Sequence, residues 1–342
     1  MSFEIQDVER KVLAILKVLH SLQNPAGSSI IARILQDQGI ILSERAVRYH
    51  LKLTDERGLT ELVSNRGGRI ITEKGLAEIK RALVKDKVGF TITKIELLTC
   101  RTGFNFETMR GLIPVNVTFF HRSVFPRALQ LMKPIFDSGL CVSSLTTVAD
   151  SGEKIGDIIV PHDMVGFATV CSIIINGALL KAGIPMDSRF GGLLQMDNSS
   201  PKRFTEIIYY NGCSLDPSEI FIKAGMTSVY RAALAGSGEI LANFREIPSI
   251  CLPEVESVLR NLKRAKVNGV IVTGFPSESV CEIQVEPNKV GMVLMGGLNP
   301  VAAVHETGIV TENKSMATVV DYQDLIEFQE LLYERDKNYT MS

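Results

Sequence analysis

The chain has 342 residues, too many for one small domain and enough for two sizeable cores. With 45% hydrophobic and 22% charged residues, its composition is that of a soluble globular protein and excludes a disordered chain. The formal charge of −1 hides an asymmetry: residues 1–88 hold 15 Lys and Arg against 11 Asp and Glu, the rest 22 against 27. A basic head on an acidic body suits a DNA-reading module joined to something that should not bind DNA.

Residues 7–23 read as an amphipathic helix, with Val8, Val12, Ile15, Leu16, Leu19 and Leu22 on its apolar stripe. Asn24-Pro25-Ala26-Gly27 breaks it. Ser28-Ser29 is expected to cap a second helix carrying Ile31, Ile34 and Leu35 and ending near Gly39. A third helix follows over 43–58. Ser43 is its N-cap, Val47, Leu51 and Thr54 point inward, and Gly58 closes it. Thr54 sits where a larger apolar residue would fill the core better. The outer face carries Arg45, Arg48, Tyr49 and Lys52, a cationic, hydrogen-bonding stripe of the kind the DNA major groove accepts. Two β-like runs, 60–64 and 69–72, flank Asn65-Arg66-Gly67-Gly68, residues that tolerate the positive φ of a tight hairpin. Three helices and a hairpin are a winged helix-turn-helix, expected over residues 1–86. Ser43, Arg45, Arg48, Tyr49 and Lys52 would meet the major groove, and Arg66 and Arg69 on the wing would meet phosphate or the minor groove. The competing reading is a winged helix used only for protein contacts.

Residues 72–84 predict a closing helix and 85–89 a charged link. The body, 90–335, mixes strands (113–120, 140–148, 155–160, 205–210, 269–273, 281–285) with amphipathic helices (126–136, 253–265, 321–333), so an α/β regulatory domain is expected. The uncharged run 164–180 is short for a membrane span and is read as a buried core helix. Residues 160–184 align without gaps on 285–309, with six identities in 25 positions, Val165/Val290 and Gly166/Gly291 among them. Pro opens a helix leading to Gly and a strand upstream of both segments. This predicts a duplication, with halves at about 110–210 and 245–335 related by a pseudo-twofold axis and a ligand cleft where they meet.

Residues 164–192 are dense in small polar groups, the composition of a segment that lets a ligand approach backbone N–H groups or of close helix–sheet packing. The candidates for an anionic effector are Cys171, Ser172, Asn176 and Arg189, which could grip a carboxylate bidentately, with His305 facing them from the second half. Cys171 with His162 or His305 would be the nucleophile and base of an enzyme, but no established catalytic motif accompanies them, and no enzyme is expected. The six cysteines are widely spaced with no metal-ligand pattern, so buried thiols in a reducing compartment are expected, with no metal and no cofactor. No signal peptide is read at the N-terminus, and a cytoplasmic location follows.

The pairing of this winged helix with Thr169-Val170-Cys171-Ser172-Ile173, Asn176-Gly177, Leu180-Lys181-Ala182-Gly183-Ile184-Pro185 and Arg189-Phe190-Gly191-Gly192-Leu193-Leu194 resembles the NrpR family of nitrogen-responsive transcriptional repressors, over nearly the whole chain. The resemblance implies a dimeric repressor of nitrogen-assimilation genes on a palindromic operator, released by 2-oxoglutarate, with Cys171 in the effector domain. Some members carry two regulatory domains after one winged helix. Here one follows, so the chain would dimerise through its own body or engage a second regulatory-domain protein.

Overall fold

The computed structural model describes residues 3–22, 24–38, 40–64, 68–81 and 89–340, which form two compact units, Met1–Val88 and Gly89–Ser342. Gln23, Gly39, the wing tip 65–67 with Arg66, the end of the expected closing helix at 82–84 and the link 85–88 lie outside the described residues.

The first unit runs α1 (Phe3–Leu22), α2 (Ser28–Asp37), α3 (Glu44–Glu56), β1 (Thr60–Ser64), β2 (Gly68–Ile71) and α4 (Glu73–Arg81). This is the winged helix-turn-helix its sequence pattern predicts. Ile15, Leu19, Ile31, Leu35, Val47 and Leu51 share one core and are all but fully buried. Gly27, not a serine, precedes the first turn of α2. Ser28 lies inside that turn and its hydroxyl donates to Glu44 Oε1 at 3.1 Å. Thr54 is no packing defect. Its hydroxyl shares a 2.7 Å hydrogen bond with that of Thr60, which in turn bonds Asp55 Oδ1 at 2.6 Å. A buried polar core residue is tolerated when its hydrogen bonds are made, and this chain of hydroxyls ties α3 to the first wing strand.

The second unit is built from two copies of one motif. The first is β3 (Leu112–His121), α6 (Phe125–Asp137), β4 (Leu145–Ala149), β7 (Met164–Val170), α7 (Ile173–Lys181) and β8 (Asp187–Asp197), with a small hairpin, β5 (Lys154–Ile155) and β6 (Ile158–Ile159), inserted before β7. The second is β10 (Gly238–Pro248), α10 (Leu252–Arg264), β11 (Val270–Thr273), β12 (Lys289–Met295), α11 (Asn299–His305) and β13 (Glu312–Asp321). Each copy gives its last strand to the other's sheet. One sheet has the order β13-β3-β7-β4-β14, with β14 at Ile326–Glu327; the other is β11-β12-β10-β8-β9, with β9 at Ser200–Tyr209. The exchange is reciprocal, since β13 pairs antiparallel with β3 and β8 with β10. The helices α5 (Phe90–Arg101), α8 (Pro217–Lys223), α9 (Val229–Ala235) and α12 (Phe328–Thr340) stand outside the repeat.

Several expectations change. Residues 164–180 are a strand and a helix rather than one helix, because the β-branched and aromatic run of β7 pairs with β3 on one side and β4 on the other. The run 155–160 splits into the β5–β6 hairpin, and 281–285 holds only an isolated bridge, Val280 to Ile283. Asp321 ends a strand, so the last helix starts later than expected, at Phe328. The second copy begins at Gly238, inside a run not read as a strand. β10 is buried on both faces almost throughout, so the alternation that betrays a half-buried strand is missing.

Candidate functional site

In the first unit the outer stripe of α3 forms as expected. Ser43 Oγ accepts from Ala46 N at 3.2 Å, and Tyr49 is 59% exposed. Arg45, Arg48 and Lys52 project to solvent. Two of these cations are already engaged: Arg48 Nη2 lies 2.5 Å from Glu44 Oε1, and Lys52 Nζ lies 4.0 Å from Glu56. Arg69 does not project. Its Nε donates to Asp55 Oδ2 at 2.7 Å, and its backbone exchanges two 3.0 Å hydrogen bonds with Ala26. It fastens the wing to α3 and to the turn before α2.

In the second unit the two copies meet at a cavity. Asn116 on β3 lies opposite Thr169, and Asn243 on β10 lies opposite Leu294, so the two asparagines are equivalent under the repeat. Both line the cavity, with the entry to α7 (Cys171, Ser172) and the entry to α11 (Gly297). Gly297 is required there: a Cβ on it would stand 2.4 Å from Asn116 Nδ2 and 2.7 Å from Val170 O. As it stands the void measures ≈ 20 Å³, room for about one water.

Arg245 gives the cavity its character. It is 1% exposed, and among the described residues no carboxylate pairs with its guanidinium. One arm donates to Ser188 Oγ, another to Ser172 Oγ at 3.4 Å, and Nε has no partner. Burial pushes its pKa down, yet a guanidinium stays cationic in a protein. Asp216 on the same cavity acts on it only through space, and a buried cation without a hydrogen-bonded carboxylate is costly, a cost that an incoming anion would offset. The polar chain continues through Asn243, whose Nδ2 donates to Ser172 Oγ at 3.3 Å and whose Oδ1 accepts from the buried Tyr210 hydroxyl.

Asp216 also lines the cavity, and its Oδ1 accepts from Ser218 N at 2.9 Å at the start of α8. Desolvation, then the neighbouring Glu219, push its carboxyl up to about 6. Lys94 on α5 donates to Ser315 O at 2.7 Å, while Glu219 Oε1 accepts from Ser315 N and its hydroxyl, each at 2.7 Å. These bonds hold a bulge in β13 where Met316 takes a φ of +49° and its N–H donates to Asn116 Oδ1 at 3.0 Å. A non-glycine residue in that region is strained and persists only where its surroundings over-determine it.

Of the residues expected around an effector, Cys171 and Ser172 line the cavity. Asn176 stands one step behind, its Nδ2 donating to Ser188 Oγ at 3.1 Å. Arg189 is placed elsewhere: its Nη1 meets Glu286 at 2.6 Å, Glu246 at 3.1 Å and Asp187 at 3.4 Å, so it does hold carboxylates, but the protein's own. His305 faces Thr311 Oγ1 at 3.4 Å from the far end of α11 and does not line the cavity. The Cys171–His pair of the enzyme reading is not assembled, since His162 is exposed beside Asp163. Burial also pushes the Cys171 thiol up to about 11, which keeps it protonated and a poor nucleophile. Arg245 was missed because nothing in Asn-Phe-Arg-Glu-Ile marks an arginine as buried. Its equivalence to Thr118 on β3 requires the strand register.

A family model described as NrpR regulatory domains NRD1 and 2 matches residues 88–327, and one described as the ribonuclease R winged-helix domain matches residues 13–79. The chain is 37% identical over 320 residues to Global nitrogen regulator NrpRI of Methanosarcina mazei, covering 94% of this chain and 98% of that protein. Against Global nitrogen regulator NrpR of Methanocaldococcus jannaschii it is 32% identical over 319 residues, covering 93% of this chain and 55% of that protein. Against NrpR of Methanococcus maripaludis it is 30% identical over 311 residues, covering 91% and 54%. The chain thus spans nearly all of the first relative and about half of the other two. Among solved structures, a nitrogen repressor-like protein from Methanococcus jannaschii is similar at a TM-score of 0.59 and 26% identity, covering 70% of this chain and 98% of that one.

Proposed function

The chain belongs to the NrpR family of nitrogen regulators, and on that footing we propose that it is a DNA-binding repressor of nitrogen-assimilation genes, released from its operator when 2-oxoglutarate enters the Arg245 cavity. One observation carries the effector half of this reading: a fully buried arginine that, among the described residues, bonds no carboxylate, in a cavity walled by both copies of the repeat. A carboxylate is the ligand a guanidinium fork matches bidentately. The outer face of α3 carries the DNA half, with Arg45, Arg48, Tyr49 and Lys52 exposed.

The proposed mechanism is a two-state equilibrium. The void holds about one water, so a molecule the size of 2-oxoglutarate must move the walls to enter. Those walls belong to both copies, so their separation is the coordinate the ligand sets. It shifts the equilibrium only by binding the DNA-incompetent state more tightly, and DNA must weaken it reciprocally. We propose a homodimer that presents two α3 helices about one DNA turn (~34 Å) apart on a palindromic operator. The competing assembly supplies the second regulatory domain from another chain, and the mass of the purified complex separates the two. The test of function is operator binding at fixed salt with increasing 2-oxoglutarate, since phosphate contacts make any affinity salt-dependent. Ligand-dependent release supports the reading, and binding indifferent to the ligand removes the effector half of it.

A further inference from the structure

We infer that the cavity takes up one proton, on the Asp216 carboxyl, with each dianionic ligand it binds. This rests on the effector reading above and names a property of the same site. The charges around the cavity fall into two sets. Lys94 and Glu219 are both committed to Ser315, the one donating to its carbonyl oxygen and the other accepting from its N–H and hydroxyl, and neither lines the void. That leaves Arg245 and Asp216, one cation and one carboxylate on a single small void. A ligand with two carboxylates would bring the void to a net of two negative charges. Only one guanidinium is there to receive them, and low-dielectric surroundings magnify the repulsion. Protonating one group in the wall removes half of that excess and turns an acceptor into a donor for the ligand.

Among the other titratable neighbours only Lys94, lowered by burial, competes as a proton site, and the Asp216→Asn variant separates the two. The groups acting on Asp216 are Glu219 beside it on α8, Lys94 on α5, Cys171 before α7, Tyr210 and Cys213 around the 3-10 turn after β9, and Arg245 on β10. The two thiols and the phenol are pushed up by burial and are already protonated at neutral pH. Arg245 is already a cation, burial lowers the Lys94 ammonium from its ordinary value while Ser315 O accepts from it, and Glu219 accepts from Ser315 N and its hydroxyl. Asp216 is the wall group poised to change, with its carboxyl at about 6 before any ligand arrives. An anion beside it raises that value further. Proton uptake then occurs in the window from about 6 upward to the ligand-bound value, and affinity falls as pH rises through it, by up to about tenfold per pH unit. Below about 6 the carboxyl is already protonated and affinity is flat.

The experiment is calorimetric titration of the full chain with 2-oxoglutarate at pH 7.5, in buffers of different ionisation heat, for the wild type and Asp216→Asn. The observed enthalpy of the wild type should vary linearly with the buffer's ionisation heat, with a slope approaching one proton taken up. Asp216→Asn, which keeps the α8 cap because asparagine caps as well as aspartate, should show a slope near zero. A zero slope in the wild type, or an unchanged slope in the variant, overturns the inference. Should Asp216→Asn fail to fold, Asp216→Ser, whose hydroxyl also caps a helix, is titrated in its place and should likewise show a slope near zero. An absence of any binding heat in the wild type instead removes the effector reading, and this inference falls with it.

Discussion

Arg245 on β10 stands where the other copy of the repeat has Thr118 on β3. Each reaches across to the strand donated by the opposite copy. The Thr118 hydroxyl donates to Asn313 Oδ1 at 3.0 Å, and the Arg245 guanidinium donates to the Ser188 hydroxyl. The frame of the cavity is therefore two-fold, down to the paired Asn116 and Asn243, but its charge is one-sided. A symmetric cleft would accept a ligand in either orientation. With one arginine, the proposed ligand's carboxylate would be received by the second copy.

Arg245→Met should leave the fold intact and abolish the ligand response. Replacing buried ionic groups with apolar side chains of similar size is often neutral or stabilising, by ~1 kcal/mol or more. Losing the charged hydrogen bonds to a ligand carboxylate should cost ~2–3 kcal/mol, roughly 30- to 150-fold in affinity. Thermal denaturation and ligand titration of the same preparation check both halves. A destabilised variant that still binds 2-oxoglutarate normally would make Arg245 structural.

Arg48 must leave Glu44 to reach a base. Glu44→Gln should therefore strengthen operator binding, while Arg48→Ala weakens it by ~1–3 kcal/mol if the arginine reads a base edge. The exposed pair itself contributes little to stability, so the melting temperature should hardly move in either variant. Parallel titrations at two salt concentrations separate base reading from phosphate contact.

Arg69→Ala should act on the fold of the first unit before it acts on DNA. With its Nε on Asp55 and its backbone on Ala26, the side chain holds the wing in register with α3. Loss of this partly buried charged bond should cost ~1–2 kcal/mol. Amide exchange of the β1 and β2 backbone in the full chain should accelerate even without DNA.

Arg189→Ala should spare the ligand response and lower stability. The Glu246 side chain, 1% exposed, would keep Lys289 at 3.3 Å and lose Arg189, a change of ~1–2 kcal/mol. The same cluster fixes an acid limit. Lys289 and Arg189 hold the Glu286 carboxyl down at about 2, below its ordinary 4.5. Its contribution is present above the ordinary value and is lost as pH falls from there toward about 2. Arg189→Ala should flatten that part of the stability–pH curve, and a denaturation series between pH 5 and 2 reads it.

The winged helix was legible because its cues are local: the 3.6-residue stripe of α1, the Ser43 cap, and turn residues between β1 and β2. The body was legible at its helices and opaque at its central strands. β7, β10 and β12 are covered on both faces, so apolar residues do not alternate with polar ones along them, and in β10 even Asn243, Arg245 and Glu246 are buried. The duplication showed through in Val165-Gly166 and Val290-Gly291, yet the strand exchange it produces did not, because pairing partners 42 to 59 residues apart in β8–β10 and about 200 apart in β3–β13 leave no local mark. The same limit explains the site. Cys171 and Ser172 sit in a recognisable segment, whereas Arg245, Asn116, Asn243 and Asp216 converge only through register. Arg189 was the more conspicuous arginine, beside two glycines, and the structure gives it to the surface cluster.

The central claim is that occupancy of the Arg245 cavity controls DNA binding, and the direct measurement is operator affinity at fixed salt, with and without saturating 2-oxoglutarate, for the wild type and Arg245→Met. The account predicts that ligand weakens the wild type by at least tenfold and leaves Arg245→Met bound as tightly as without ligand. Equal release of both proteins would place the effector elsewhere, and no release of the wild type would contradict control by this ligand altogether.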